Sequence, residues 1–224
     1  MHLMHYQEYL HLLFDYGETA YASFSQTASS SDYQVIGVRI PLLRKIIKAN
    51  YRDKALKLID FELGKYLEVD FSYFAIGLLR CKTVDEQLAF VQHNMKFAKS
   101  WAITDMIASY FKKITFEQYW PYFLSNCTNE YMYVRRFAYV LGLKFYRDQR
   151  ILDTFQFIQP NEDYMVYMGQ AWLLATVAIC YPGDVYQFLQ GSVADNLKRK
   201  TISKIKESFR INDKVKKLFV DLRK

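Results

Sequence analysis

Trp101 and Asp105 stand four residues apart in the stretch Lys99-Ser100-Trp101-Ala102-Ile103-Thr104-Asp105. A helix opening here stacks them on one face. A carboxylate beside a large aromatic ring serves a cationic reaction centre in two ways, by its charge and by the π-face next to it. Two later stretches carry residues suited to the same work. Tyr133-Val134-Arg135-Arg136-Phe137-Ala138 offers two guanidinium groups, whose forked donors suit a phosphate clamp. Met168-Gly169-Gln170-Ala171-Trp172 offers a second indole. The expectation is that the three stretches face one groove.

Each of these residues also has a plainer explanation. Ile103, Ile107, Tyr110 and Phe111 make the apolar stripe of the first helix, so Trp101 can be a core aromatic and Asp105 an exposed polar residue. Over residues 131–146, Val134, Phe137, Ala138, Leu141 and Phe145 supply the buried side, which leaves Arg135 and Arg136 towards solvent or a groove. Trp172 lies in a run that is nearly apolar from Met165 to Cys180, where core packing is the simpler account. Taken singly, periodicity favours the plain reading of each.

Other chemistries find little support. His2, His5 and His11 crowd the start of the chain, with His93 apart, and no acidic partner completes a metal site. Cys81, Cys127 and Cys180 lie far apart without a CxxC spacing, which speaks against zinc and against a disulfide framework and suits a reducing compartment. There is no Ser/His/Asp arrangement, no glycine-rich phosphate loop and no persuasive carboxylate pair. The longest apolar run, Ala171 to Cys180, is too short to span a bilayer, and the first residues lack the pattern of a signal peptide. The expected location is the cytoplasm.

Charge is unevenly spread. The chain carries a net +7, yet from Lys198 onward there are 11 Lys/Arg against 3 Asp/Glu, and the rest is close to neutral. Lys198, Arg199, Lys200, Lys204 and Lys206 fall in a helix over about 195–209 that could track a polyanion backbone. A solvated lysine-rich face is the alternative.

The elements that must position these residues read as helices throughout. Four prolines and eight glycines are few for a β-rich fold, and no two-residue hairpin signal occurs. Helices are expected over 6–28, from Pro41, near 52–61, 71–81 and 84–97, and over 116–125, with Ser29-Ser30-Ser31-Asp32 as a loop. Thr83-Val84-Asp85-Glu86 and Thr115-Phe116-Glu117-Gln118 read as capping boxes. In the second half, helices begin near Ser100, Glu130, Asp163 and Asp195, at spacings of 30, 33 and 32 residues. Shorter segments near 116–125, 148–158 and 183–190 lie between them. Helix pairs at this period suggest an α-solenoid, in which residues 30 to 35 apart can converge on one ligand.

With these blocks in view, the sequence resembles the bacterial HEAT-like-repeat DNA alkylation repair proteins, the AlkD-type alkylpurine DNA glycosylases. The resemblance runs from about Ile36 to Ile205. It rests on Gly37-Val38-Arg39-Ile40-Pro41-Leu42-Leu43-Arg44-Lys45 and on the three stretches already described. It implies one all-α domain over residues 1–224, an α-solenoid of HEAT-like repeats with a concave basic groove. It also implies that Trp101, Asp105, Arg136 and Trp172 line the DNA-facing cleft as the catalytic set. Arg135, Lys198, Arg199, Lys200 and Lys204 are the expected DNA-binding residues.

The implied reaction is hydrolysis of the N-glycosidic bond of a cationic N3- or N7-alkylated purine in duplex DNA, by a monomer needing neither metal nor organic cofactor. Ala102 departs from the family's best-known members, which carry a second Trp there, and Leu173-Leu174-Ala175-Thr176-Val177-Ala178 lacks their charged residues. The rival readings are a non-catalytic protein binding distorted or branched DNA, and a solenoid whose basic end takes an acidic protein.

Overall fold

The computed structural model describes residues 4–29, 33–160 and 162–222. His2, the loop positions Ser30 to Asp32 and the last two basic residues, Arg223 and Lys224, lie outside the described residues. The fold is all-α, as the sparse glycine and proline implied. No strand occurs among the described residues, and the β-type pairing is one isolated bridge between Gln34 and Tyr66. The chain divides into two compact units, Met1–Ile114 and Thr115–Lys224.

The first unit contains α1 (Tyr6–Asp15), α2 (Thr19–Ser29), α3 (Ile40–Asn50), α4 (Leu67–Arg80), α5 (Val84–Asn94) and α6 (Trp101–Ile107). Its centre is α4, buried from Leu67 to Ser72 and again through Phe74–Leu78, with α3, α5 and α6 packed around it. Burying that apolar surface drives assembly, yet two carboxylates lie in the same stretch. Glu68 is satisfied by main-chain amides: Oε1 accepts from Gly37 at 2.8 Å and Val38 at 3.3 Å, and Oε2 from Ile36 at 3.0 Å. Gly37 allows this turn because its φ is +99° and a Cβ there would stand 2.4 Å from the Glu18 carbonyl oxygen.

Three boundaries differ from the sequence expectation, each for a local reason. The helix expected over 6–28 is two, because Gly17 receives the passing Ile36 main chain and Glu18 N–H donates to the Gly37 oxygen at 3.1 Å. The helix expected near 52–61 is a 3-10 turn at Leu58–Asp60. There the Arg80 guanidinium takes the carbonyls of Tyr51, Asp53 and Leu56 at 2.7–2.8 Å, so those oxygens serve a side chain rather than a helix. The helix expected from 71 begins at Leu67, because Glu68 and Asp70 are held inside it instead of interrupting it. At α5 the Thr83 hydroxyl accepts from Glu86 N–H as expected, while the Glu86 carboxylate turns to Lys82 N–H.

The second unit contains α7 (Phe116–Asn126), α8 (Met132–Gly142), α9 (Tyr164–Val177), α10 (Pro182–Gln190), α11 (Asp195–Glu207) and α12 (Asp213–Asp221). The reciprocal box at Thr115 and Gln118 opens α7 as predicted. Helices α8, α9 and α11 pack in sequence order, with α7 against α8 and α10 against α9. Being covered on several sides, α9 is apolar around most of its circumference. The segment expected over 148–158 is a 3-10 helix, Gln149–Phe157, capped by the Asp148 side chain.

Candidate nucleic-acid site

In the first unit, the buried Ser100 side chain opens α6 by accepting from Ala102 N–H at 3.1 Å. Ile103, Thr104 and Ile107 form the buried face of the helix, while Trp101 and Asp105 remain partly exposed together. Thr104 Oγ1 lies 3.0 Å from Asp105 Oδ1 and 2.7 Å from the Trp101 carbonyl oxygen. The single hydroxyl proton has two acceptors here, the main-chain oxygen being the nearer, and the carboxylate keeps access to solvent.

What holds the start of α6 is a buried polar chain the sequence did not announce. Asp70 on α4 is fully buried, accepting from Tyr33 Oη at 2.5 Å and from Gly64 N–H at 2.9 Å. Tyr33 Oη in turn accepts the Lys99 main-chain N–H at 3.1 Å, two residues ahead of Trp101. Burial pushes the Asp70 carboxyl up to about 6, against the pull of Tyr33, the Gly64 amide and the Lys99 charge in the other direction. Two acidic residues, Glu68 and Asp70, inside the mostly apolar run Leu67–Leu79 are the signal that could have flagged Asp70. Tyr33 beside a serine-rich loop carries none.

In the second unit the two arginines, expected to face solvent or a groove, are instead largely buried. Arg136 is 5% exposed, and its Nη1 donates to the Met165 carbonyl oxygen at 2.6 Å. Gly169 admits it, since a Cβ there would sit 3.3 Å from Arg136 Cγ. The Arg135 side chain is 13% exposed and tied to the 129–130 turn and the start of α9. Its Nη1 donates to the Asn129 and Glu130 oxygens at 2.6 and 3.1 Å, Nε to Glu162 at 3.1 Å, and Nη2 to Asp163 at 2.5 Å. Both guanidinium groups fasten α8 to α9; the apolar residues around them, Val134 and Phe137, do not use up the buried face as periodicity suggested.

Trp172 shows the opposite outcome. Within an apolar helix it is 38% exposed, and it walls a surface cavity of about 260 Å³ with Thr176, Ile179, Lys204, Glu207 and Arg210. Lys204 comes from α11, and Lys200 precedes it by one turn on the same edge. Arg199 and Lys200 are exposed, whereas Lys198 lies half-buried nearer the packed side, beside Leu197, Thr201 and Ile205. Arg210, which the sequence showed only as part of the basic end, rests on the Tyr146 ring at 4.6 Å.

The family model described as DNA alkylation repair enzyme matches residues 11–208. Among curated proteins no relative matches the chain. Among the described residues, no helix is long and apolar enough to cross a membrane.

Proposed function

As the chain belongs to the DNA alkylation repair enzyme family, we propose that it acts in DNA repair as a glycosylase for duplex DNA carrying cationic N3- or N7-alkylated purines. The observation that carries this reading is the pairing on α6: a carboxylate and an indole four residues apart, both partly exposed, on the side opposite buried Ile103 and Ile107.

The lesion supplies much of the driving force. A purine alkylated at N3 or N7 is already positive, so it leaves without a strong general acid. The sugar it leaves becomes oxocarbenium-like, the charge build-up common to glycoside hydrolysis. Asp105 stabilises that cation and orients the water that attacks the anomeric carbon, with Thr104 Oγ1 standing 3.0 Å from its Oδ1. Trp101 presents its ring face to the sugar beside Asp105, worth about 0.5–2 kcal/mol in a partly desolvated setting, and Trp172 offers DNA an indole from the second unit. Arg136 enters as a positioning residue, holding the start of α9 through the Met165 oxygen and so fixing the helix that bears Trp172. Backbone phosphates fall to Lys200 and Lys204 with Arg199 and Lys198, rather than to Arg135, whose donors are engaged. The protein is taken to act as a monomer without metal or organic cofactor.

The test is release of 7-methylguanine from methylated duplex DNA by excess enzyme. Release supports the glycosylase. Tight binding to the same DNA with no release leaves the non-catalytic DNA-binding alternative in its place.

A further inference from the structure

Phe209 is 103% exposed, beyond any other apolar side chain described. A single exposed apolar residue is ordinary, but this one is presented by a built turn. Ser208 Oγ accepts from Arg210 N–H at 3.2 Å, Ile211 is buried behind it, and Asn212 caps α12 by accepting from Val215 N–H at 3.0 Å. The residues on either side of Phe209, Ser208 and Arg210, both line the Trp172 cavity. Lys204 and Arg210 line that cavity, and the neighbouring sequence adds Lys206 and Lys214 against Glu207 and Asp213. The one carboxylate lining the cavity, Glu207, is engaged by the Ser203 hydroxyl at 3.0 Å.

From this we infer that the Ser208–Ile211 turn is a DNA-stacking wedge, in which Phe209 enters the duplex and stacks on a base while Lys204 and Arg210 take the flanking phosphate. An exposed aromatic ring between two residues of a cavity that also holds Lys204 and Arg210 matches the two faces of a nucleic acid, a π-surface and a polyanion. The Arg210 guanidinium, seated on Tyr146, is directed in advance rather than recruited on binding. The inference deepens the proposed DNA-directed function and rests on that reading for its partner, not for its catalysis.

The experiment uses the full chain and a duplex carrying 2-aminopurine next to a stable abasic analogue. Wild type should change the 2-aminopurine emission on binding. Phe209→Ala should lose that change and bind roughly tenfold or more weakly, while its circular dichroism and melting stay as in wild type because the ring packs on nothing. Phe209→Trp should restore both. Wild-type affinity and emission in Phe209→Ala would overturn the wedge, as would a wild type that binds without altering the emission. Base release from methylated DNA is scored separately. Its absence alongside a working wedge removes the glycosylase and leaves this inference standing.

Discussion

Arg136 on α8 donates through Nη1 to the carbonyl oxygen of Met165 in the first turn of α9, at 2.6 Å. A buried cation that satisfies the main chain of a neighbouring helix is a fastening, so its removal should be felt in stability before it is felt in DNA affinity. Arg136→Ala is predicted to cost about 1.5–3 kcal/mol, the range for a hydrogen bond to a charged group, with DNA affinity at fixed salt changing less than excision. Chemical denaturation and a binding isotherm on the folded variant check it. Unchanged stability with weakened, less salt-sensitive binding would instead make Arg136 a phosphate contact.

The α11 lysines should behave in the contrary way. Lys200 is exposed, and Lys204 borders the Trp172 cavity. Lys200→Ala and Lys204→Ala are each predicted to lower DNA affinity for all sequences alike and to reduce the slope of log affinity against log salt by about one. Melting temperature should move little. A salt series from low to physiological ionic strength reads this directly, and an unaltered slope would remove α11 from the backbone-tracking surface.

Asp70 gives a pH prediction with a definite sign. Its carboxyl is raised from 3.8 to about 6 in the folded chain, so between those values the folded state holds a proton the unfolded state has released. Stability from this group is therefore greatest at the acid end and falls as pH rises through about 6, by about 3 kcal/mol in all. The exposed acids whose carboxyls are lowered by arginine partners, Glu18, Glu117 and Asp148, work in the other direction. The informative quantity is thus the difference between wild type and Asp70→Asn in urea midpoint from pH 4 to 7. The variant should lack the downward component, and parallel curves would contradict the account.

Gly37 occupies a backbone conformation that other residues rarely adopt, with its amide bound to Glu68 and a would-be Cβ against the Glu18 oxygen. Gly37→Ala is predicted to destabilise by about 1–3 kcal/mol through strain and displaced main chain. A control Gly183→Ala should be close to neutral, because a Cβ at Gly183 meets nothing within 4 Å. Equal melting temperatures for the two variants would contradict the role given to Gly37.

These residues also mark what the sequence made legible. Helix starts at 101, 132, 164 and 195 fall within two residues of those expected near Ser100, Glu130, Asp163 and Asp195, because apolar periodicity is a local property. The pairing of Trp101 with Asp105 was legible for the same reason, as positions four apart share a face whatever lies beyond. The fates of Arg135 and Arg136 were not. A helical wheel counts charge as outward-facing, and here the partners that bury it, Glu162, Asp163 and the Met165 oxygen, come from about 27–29 residues further on. For Trp172 periodicity alone favoured core packing and the family resemblance a groove: on a helix apolar nearly all round, periodicity cannot say which large side chain is left at the surface. Asp70 and Tyr33, which anchor α6 from 37 residues apart, belong to the same class of long-range pairing.

Asp105 carries the central claim, and its isosteric variant tests it most directly. Single-turnover excision of 7-methylguanine should fall roughly 100-fold or more in Asp105→Asn, the scale of losing one preorganised electrostatic contact to a developing charge, with affinity for the same DNA within a few-fold of wild type. Excision by Asp105→Asn at the wild-type rate, measured on equally bound DNA, would contradict the account.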